Sequence, residues 1–346
     1  MRCSILFLCL FFVINSFATI PSGYYNSANG KNERTLKTAL HNIIKDHTSV
    51  GYKNLYTVYA ESDTKNDTIL DIYSTCTFFI DILSQRCGNY ANICDCYNRE
   101  HIIPQSWFNE EEPMKSDAFH IYPTDGKVNG IRSNYPHGET DGPSVGGNGL
   151  GKLGTCNIDG YNDIVFEPID EYKGDIARSY FYFITRYEDK LYKFSDVVFD
   201  NNTYPGLQEW FLNLMIKWHR QDTVSEKELN RQEAIYKFQN NRNPFIDHPE
   251  LVEHIWGNQK NIIWGTTTAL ENVNNYFELH LLDNAFYISS DYETEIEYTL
   301  YDISGQLITK QNITPDEIIS LRNLQKGLYI ITITTNNNSK SYKIII

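Results

Sequence analysis

Positive charge is scarce in this sequence, because 30 Lys and Arg residues among 346 stand against 44 Asp and Glu residues. The net charge of −14 argues against a module that binds nucleic acid tightly, since such modules usually present a basic surface. It is less restrictive for an enzyme that needs only a local cation and a few guanidinium groups and then releases its product.

Long apolar runs are also scarce, and the one near the start, Ile5–Ile14, is too short to span a bilayer. Arg2 precedes this run and the small residues of Ser16-Phe-Ala18 follow it, which is the pattern of a cleavable export signal. A membrane anchor is the alternative. No other stretch is apolar enough for a transmembrane helix, so we expect a signal peptide at residues 1–18 and an exported protein.

Cysteines are few, and four of those that remain after signal removal lie close together in the sequence. The remaining cysteines are Cys76, Cys87, Cys94, Cys96 and Cys156. An exported chain meets oxidising conditions, which favour disulfides. The alternative is a structural zinc site of Cys87, Cys94 and Cys96 with His101, although this spacing fits no familiar zinc pattern. The odd count leaves one thiol unpaired without indicating which one.

The order of predicted elements indicates an α+β protein with more than one domain. A short strand is expected at Ile69–Tyr73, and Asp125 is expected to cap a helix that begins near Val128. Apolar spacing predicts further helices at Glu33–Lys45, Ile176–Tyr192, Leu207–Arg220, Glu226–Gln239 and after Asp247. These elements form a mainly helical catalytic domain at residues 19–268.

The pattern changes at about Ala269, where apolar and polar residues begin to alternate. Strands are predicted at Ile296–Ile303, Leu328–Thr335 and Tyr342–Ile346. With Asn272–Asn275 as a linker, residues 269–346 are expected to form a small antiparallel β-sandwich. This part has no cluster of chemically active side chains beyond His280, so we expect no chemistry in it.

Three neighbouring segments carry most of the chemistry. They are Cys96-Tyr-Asn-Arg-Glu-His-Ile-Ile-Pro-Gln-Ser-Trp107, Ser116-Asp-Ala-Phe-His-Ile-Tyr-Pro123 and Asp125-Gly-Lys-Val-Asn-Gly-Ile-Arg-Ser-Asn-Tyr-Pro136. Carboxylate and amide oxygens hold hard divalent cations, a neutral imidazole takes a proton from water, and a guanidinium holds a phosphate oxygen. This combination is the equipment for metal-assisted cleavage of a phosphodiester.

We assign His101 as the general base, with Glu100 and Asn129 as the ligands of the metal. Arg132 is expected to bind the scissile phosphate or the leaving oxygen. The alternatives are a structural histidine, an asparagine that satisfies a helix start, and an arginine in a surface salt bridge. Neighbours on a strand point to opposite faces, so Glu100 and His101 share a site only if the strand ends there or they approach from different sides.

Other residues are secondary candidates. Arg99 and Asn134 are expected to contact a ligand or the substrate, and His120 is expected to orient a ligand. Asp117 is expected to be structural, with a direct metal contact as the alternative. The basic side chains that bind the substrate are expected among Lys127, Arg178, Arg231 and Arg242, and the sequence does not rank these four.

The segment Gly142-Pro-Ser-Val-Gly146 fits the G-x-S-x-G pattern of serine hydrolases. That pattern requires a strand before the serine and a helix after it. Pro143 immediately precedes Ser144, and Gly147 and Gly149 follow, so no helix is expected to start there. We therefore reject a serine hydrolase.

The motifs resemble those of the bacterial endonuclease I family, secreted or periplasmic nucleases with a ββα-metal (His-Me finger) site. They are Asn98-Arg-Glu-His101, Ser116-Asp117, Pro123-Thr-Asp-Gly-Lys-Val-Asn-Gly130, Arg132-Ser-Asn134, Phe166-Glu-Pro168, Lys173-Gly-Asp-Ile-Ala-Arg-Ser-Tyr180 and Asn241-Arg-Asn-Pro-Phe245. The resemblance implies Mg²⁺ on Glu100 and Asn129, with Ca²⁺ or Mn²⁺ as alternatives, and a base at His101. It also implies non-specific cleavage of DNA, and of RNA too, that leaves 5′-phosphate ends. Many members carry two histidines where this chain has Phe119 and His120.

The end of the chain resembles a second family, the type IX secretion sorting domain. The matching segments are Tyr301-Asp-Ile-Ser-Gly305, Leu324-Gln-Lys-Gly-Leu-Tyr329 and Lys343-Ile-Ile-Ile346. The resemblance implies the type IX secretion machinery as a partner and a secreted or surface-attached nuclease. The rival hypothesis is an exported nucleic-acid-binding or adhesion protein with weakened catalysis, which Phe119 and the net negative charge favour.

Overall fold

The structure, a computed structural model, describes residues 20–145, 151–194, 197–265, 278–282, 285–289, 296–303, 305–335 and 338–345. The predicted signal peptide and the predicted linker Asn272–Asn275 lie outside these residues. The chain divides into two compact units, Met1–Thr266 and Thr267–Ile346, and each has its own apolar core. No helix in the described ranges is long and apolar enough to cross a membrane.

The first unit is mainly helical and contains small two-stranded sheets. Its α-helices are α1 (Glu33–Ile44), α2 (Leu55–Ser62), α3 (Gly126–Arg132), α4 (Lys173–Arg186), α5 (Glu209–Gln221), α6 (Glu226–Gln239), α7 (Pro244–Asp247) and α8 (Leu251–Ile255). Its strands are β1 (Thr64–Lys65), β2 (Thr68–Ile69), β3 (Tyr97–His101), β4 (Ile121–Asp125), β5 (Lys152–Thr155) and β6 (Ile164–Glu167). They pair antiparallel as β1–β2, β3–β4 and β5–β6, so the predicted α+β class is confirmed.

Helix α4 forms the centre of the first unit, because all of its residues are buried. Helices α5, α1 and α7 pack against it. The prediction of one helix at Ile176–Tyr192 was too long at its end. The backbone leaves the helical region at Tyr187 (φ −108°, ψ 29°), and a 3₁₀ turn at Glu188–Lys193 follows.

Capping side chains explain where two of the predicted helices begin. Ser225 and Glu228 form a capping box at the start of α6, in which each side chain accepts a hydrogen bond from the other's backbone N–H. At α3, the Asp125 carboxylate accepts from the N–H of Val128 at 2.8 Å. The helix after Asp125 is thus confirmed, and its first residue is Gly126.

The predicted strand at Ile69–Tyr73 was wrong beyond Ile69, where β2 ends. The reason is Asp71, whose buried carboxylate accepts from the N–H groups of Tyr73 and Ser74 at 2.9 and 2.8 Å. These local hydrogen bonds turn the chain instead of extending it. The same carboxylate accepts from the Asp125 N–H at 2.7 Å, which fixes the turn against the end of β4.

The second unit is an antiparallel β-sandwich. Its strands are β7 (Glu278–Leu282), β8 (Ala285–Ser289), β9 (Ile296–Asp302), β10 (Leu307–Ile313), β11 (Ile319–Ser320), β12 (Leu328–Thr335) and β13 (Asn338–Ile345). They form a four-stranded sheet in the order β10-β9-β12-β13 and a three-stranded sheet in the order β11-β8-β7. Side chains of both sheets share one apolar core, in which Ile288, Ile296 and Ile331 are fully buried.

Candidate functional site

A strand–strand–helix unit carries the candidate site. Strands β3 and β4 pair antiparallel with Glu100 opposite Tyr122, and α3 follows β4 directly. Helix α3 lies against β3, because the side-chain N–H₂ of Asn129 donates to Asn98 Oδ1 at 2.6 Å and more weakly to the Arg99 carbonyl at 3.4 Å. The amide oxygen of Asn129 accepts no hydrogen bond from the described residues.

An open cleft of about 570 Å³ lies over this unit. Six of the eight predicted site residues line it, namely Arg99, Glu100, His101, Asn129, Arg132 and Asn134. Strand β3 ends at His101, so Glu100 and His101 reach one cleft although they are neighbours in sequence. Of the two arrangements considered, the structure therefore has the one in which the strand ends at His101.

Glu100 is a buried carboxylate held by two side chains. Its Oε1 accepts a hydrogen bond from the Tyr73 hydroxyl at 2.9 Å and lies 3.1 Å from the Arg132 guanidinium. Burial raises the pKa of Glu100 to about 7, although Arg132 and Tyr73 both oppose the rise. Because both contacts use Oε1, Oε2 remains the oxygen that can face a cation.

The His101 ring is oriented by a backbone carbonyl. Its Nε2 lies 3.2 Å from the carbonyl oxygen of Lys115, which can only accept, so Nε2 carries the proton. Nδ1 then holds a lone pair; the atom is itself buried and has no hydrogen-bond partner among the described residues. Burial, and then the neighbouring His120, hold the pKa of His101 well below its ordinary value, so the imidazole is neutral at neutral pH.

Arg132 is buried, and its guanidinium contacts the end of β3. It donates to the His101 carbonyl at 3.0 Å and to the Ile102 carbonyl at 2.7 Å, besides the ion pair with Glu100. Its side chain is 1% exposed. These contacts position the strand end that presents Glu100 and His101, whereas the predicted contact with phosphate stays a prediction.

Two residues that the sequence analysis missed complete this buried network. The Tyr73 hydroxyl lies 2.7 Å from His137 Nε2, and His137 Nδ1 lies 3.4 Å from Arg132. Tyr73 donates to Glu100, so it accepts from His137 Nε2–H. Burial, then Arg132, lower the pKa of His137 well below its ordinary value, which keeps the ring neutral. No local motif marks either residue; only their buried position beside Glu100 does.

Arg99 is the half-buried cation of the cleft. Its guanidinium stacks on the Tyr52 ring at 3.7 Å and lies 4.8 Å from the Tyr56 ring. One N–H donates to the Tyr52 carbonyl at 3.0 Å. No carboxylate in the described ranges forms an ion pair with Arg99, so its charge is available to a phosphate.

Asp117 and His120 do not line the cleft. The Asp117 carboxylate is fully buried and accepts from Tyr182, Tyr187 and Gln239 at 2.8–2.9 Å, so the structural role fits and a metal contact does not. His120 Nε2 donates to the Met114 carbonyl at 2.7 Å, and its ring packs edge-on against the His101 ring at 5.8 Å. It supports the base by packing and orients neither predicted ligand.

Three of the four arginines and lysines considered for gripping the substrate are buried ion-pair partners. Arg178 pairs with Glu228, Arg231 with Asp63 at 2.8 Å, and Arg242 with Asp247 at 2.7 Å. That suggestion was wrong for these three, because a guanidinium that neutralises a buried carboxylate is not free to bind phosphate. Lys127 does not line the cleft either.

The clustered cysteines form disulfides, Cys76–Cys94 and Cys87–Cys96, and Cys156 is the free buried thiol. The zinc alternative was wrong, because zinc binds thiolates and these sulfurs are bonded to each other. For the same reason Cys76, Cys94 and Asp125, whose potential ligand atoms lie within 4.8 Å of one another, are not a metal site. The Cys94 N–H instead donates to Asp125 Oδ2 at 2.6 Å.

Two known families match this sequence. A sequence model of the family described as Endonuclease I matches residues 32–250, which is more than half of the chain. A model described as Secretion system C-terminal sorting domain matches residues 282–346.

Several named relatives also match the chain. The extracellular ribonuclease of Bacillus amyloliquefaciens is 34% identical over 244 residues, covering 67% of this chain and 78% of the relative. Endonuclease-1 of Buchnera aphidicola subsp. Baizongia pistaciae is 29% identical over 137 residues, covering 39% of this chain and 47% of the relative. The periplasmic deoxyribonuclease of Aeromonas hydrophila is 28% identical over 140 residues, covering 40% and 50%.

Proposed function

The chain belongs to the endonuclease I family, and from this premise we propose that it cleaves DNA and RNA with the help of a divalent cation. It is an enzyme that hydrolyses nucleic acid, and its sorting domain and relatives make it a secreted or cell-surface protein. Relatives named for RNA and for DNA support a substrate range that includes both. We also propose delivery by the type IX secretion machinery.

The donor set of the cleft fits a hard divalent cation. Glu100 Oε2 and the amide oxygen of Asn129 are oxygen donors, and Mg²⁺ is typically held by few protein oxygens while water or substrate fills its other positions. The Asn98 contact orients the Asn129 amide so that its oxygen is the end left for the ion. When bound, the cation would neutralise charge on the phosphate and on the departing 3′ oxygen.

His101 performs the proton transfer in this proposal. Nδ1 takes a proton from water, the resulting hydroxide attacks phosphorus, and the bond from phosphorus to the 3′ oxygen breaks. The departing oxygen takes a proton from solvent, and the phosphate stays on the 5′ end. The observation that carries the proposal is that Glu100, His101 and Asn129 meet in one cleft with the lone pair of Nδ1 unpaired.

The two arginines of the cleft, Arg99 and Arg132, are assigned different roles. Arg132 is a positioning residue, since its described contacts go to Glu100, to His137 and to backbone carbonyls, among them those of His101 and Ile102. Arg99 has no carboxylate partner in the described part of the chain and borders the cleft, so it is assigned to the substrate phosphate. Asn134 is exposed at the rim of the cleft, where it contacts the nucleic acid.

The rival hypothesis of weakened catalysis rests on Phe119. Phe119 is buried, packs on the Tyr182 ring at 4.9 Å and does not line the cleft. Its ring therefore replaces a second histidine at a position that does not touch the candidate ligands or the base. Phe119 gives no physical reason for lost activity.

The test is digestion of plasmid and of ribosomal RNA by the purified protein with Mg²⁺, Mn²⁺, Ca²⁺ or EDTA, followed by analysis of the product ends. We expect cleavage of both polymers with Mg²⁺ or Mn²⁺, none with EDTA, and 5′-phosphate ends. Binding of nucleic acid without cleavage in any metal would favour the rival hypothesis instead. Undiminished cleavage in EDTA would refute the metal requirement.

A further inference from the structure

The cleft contains an aromatic ring that the proposed mechanism does not use. Tyr90 lines the cleft on the side of α3, and 37% of its surface is exposed. No aromatic ring or cation in the described ranges packs on it. A large apolar ring left exposed inside a polar catalytic cleft is a candidate for contact with a ligand.

Two glycines of α3 allow the Tyr90 ring to lie close against the helix. A Cβ atom at Gly126 would lie 2.7 Å from Tyr90 Cδ1, and one at Gly130 would overlap the Tyr90 hydroxyl and lie 3.0 Å from Cζ. One ring therefore spans two positions a helical turn apart on the same face. The part of the Tyr90 ring that lies against these two glycines is covered by α3, and the exposed remainder of the side chain borders the cleft.

The loop that carries Tyr90 is held in place. The Cys87–Cys96 disulfide closes it, and the Asp95 carboxylate accepts from the N–H groups of Ala91 and Asn92 at 2.9 and 2.7 Å. A ring held in advance loses little conformational entropy on binding. Tyr90 is thus a preorganised flat surface next to the candidate metal ligand.

The other side of the cleft supplies charge for the same ligand. Arg99 lies between the Tyr52 and Tyr56 rings and has no carboxylate partner among the described residues. Each nucleotide of a chain presents a phosphate and a flat base. The cleft therefore offers a contact for each: a guanidinium for phosphate and an exposed ring for a base.

We propose that Tyr90 is a stacking platform for an unpaired nucleobase, which makes single-stranded nucleic acid the preferred substrate class. This inference rests on the proposed nuclease function and specifies its substrate. A base in a duplex already stacks on its neighbours, whereas an unpaired base is free to stack on a side chain. Because every base has a π-face, this contact distinguishes single strands from duplexes and does not depend on the base sequence.

Binding measured in a His101→Ala background tests this inference without cleavage. The probes are a single-stranded oligonucleotide of about eight nucleotides, an abasic strand of equal length and a duplex. We expect Tyr90→Leu, which still covers the two glycines, to weaken single-strand binding about 5- to 100-fold. Tyr90→Phe should stay within about twofold of the parent, because it keeps the ring. Abasic and duplex binding should change little in either variant.

The matched control is Tyr192→Leu, which alters an exposed tyrosine outside the cleft and should change none of the affinities. Equal loss of single-strand and abasic binding by Tyr90→Leu would overturn the platform, since the ring would then only shape the loop. Unchanged single-strand binding would overturn it as well. If the proposed nuclease function fails, the digestion assay shows this separately as intact polymer. The binding measurement still decides whether Tyr90 is a stacking platform.

Discussion

The two units of this chain bury opposite kinds of side chain. The first unit buries ionisable groups, among them Glu100, His101, Arg132 and His137. In the described part of the second unit, Thr299 is the one buried polar side chain, and the core is otherwise apolar. Burying ionisable groups costs stability unless they are paired. Such groups are therefore concentrated at sites whose chemistry requires them. The difference agrees with the proposal that catalysis belongs to the first unit, while the second unit matches the sorting-domain family.

The largest expected effect comes from Glu100→Gln in the first unit. This change keeps the shape but removes the charge that would bind the cation and that neutralises Arg132. We expect cleavage to fall about 100- to 10,000-fold, because neutralisation of developing charge is a major catalytic term. Initial rates on plasmid at saturating Mg²⁺ measure it. Asn129→Asp, which keeps an oxygen donor, should retain far more activity; equal loss would argue that Glu100 acts mainly through folding.

A smaller effect is expected from Tyr73→Phe, which deletes one hydrogen bond to Glu100. Groups that orient a metal ligand commonly contribute 10- to 100-fold to metal affinity. We therefore expect the Mg²⁺ concentration for half-maximal rate to rise by about that factor while the rate at saturation changes little. Mn²⁺ binding followed by electron paramagnetic resonance gives a readout besides activity. An unchanged metal requirement would exclude Tyr73 from positioning Glu100.

Protonation of its buried histidines should destabilise the first unit in acid, while the raised pKa of Glu100 acts in the opposite direction. Burial lowers the pKa of His120 to about 4, so its contribution to stability is present above the ordinary value near 6.5 and is lost as pH falls through about 4. Burial lowers the pKa of His101 and His137 in the same direction. We expect His120 alone to contribute about 3 kcal/mol to this loss.

Urea unfolding at pH 7 and pH 4.5, followed by separate probes in the two units, measures the difference. The described core of the second unit buries no carboxylate or imidazole, so its midpoint should move less. Equal shifts in both units would mean that the buried histidines do not control acid stability.

The smallest expected effect on catalysis comes from the second unit. Ile331→Ala removes a fully buried side chain from the sandwich core and should cost about 2–5 kcal/mol of that unit's stability. Nuclease activity should not change, since all the proposed catalytic residues belong to the first unit. Export should fall, because the sorting fold is weakened. A matching loss of nuclease rate would contradict the separation of roles.

The sequence allowed prediction where the signals are local. Asp125 caps α3, the Ser225–Glu228 pair caps α6, and the segment from Asn98 to His101 marks the strand that bears the base. The sequence did not allow prediction of contacts between residues that lie far apart along the chain. Arg178 looks like a surface cation until its partner Glu228, 50 residues later, is seen at its side. Tyr73 precedes Glu100 by 27 residues, and nothing in its neighbours indicates that it orients a ligand.

Disulfide pairing and buried charge escaped prediction for the same reason. The clustered cysteines were expected to form disulfides, but their order along the chain left the partners open. The buried contacts of Arg132 with Glu100 and the end of β3 were likewise invisible, because an isolated arginine shows no partner in the sequence. Each of these outcomes depends on which elements pack together, and that is decided by the whole core and not by a local window.

The central claim, that His101 activates water in a metal-dependent nuclease, is tested most directly by plasmid cleavage. The purified parent protein, His101→Ala and the control His248→Ala are compared with Mg²⁺ and with EDTA; His248 is partly exposed and pairs with Glu250 away from the cleft. We predict Mg²⁺-dependent cleavage by the parent and the control, and a rate about 100- to 10,000-fold lower for His101→Ala. Equal cleavage by all three proteins would contradict the assignment of His101 as the base.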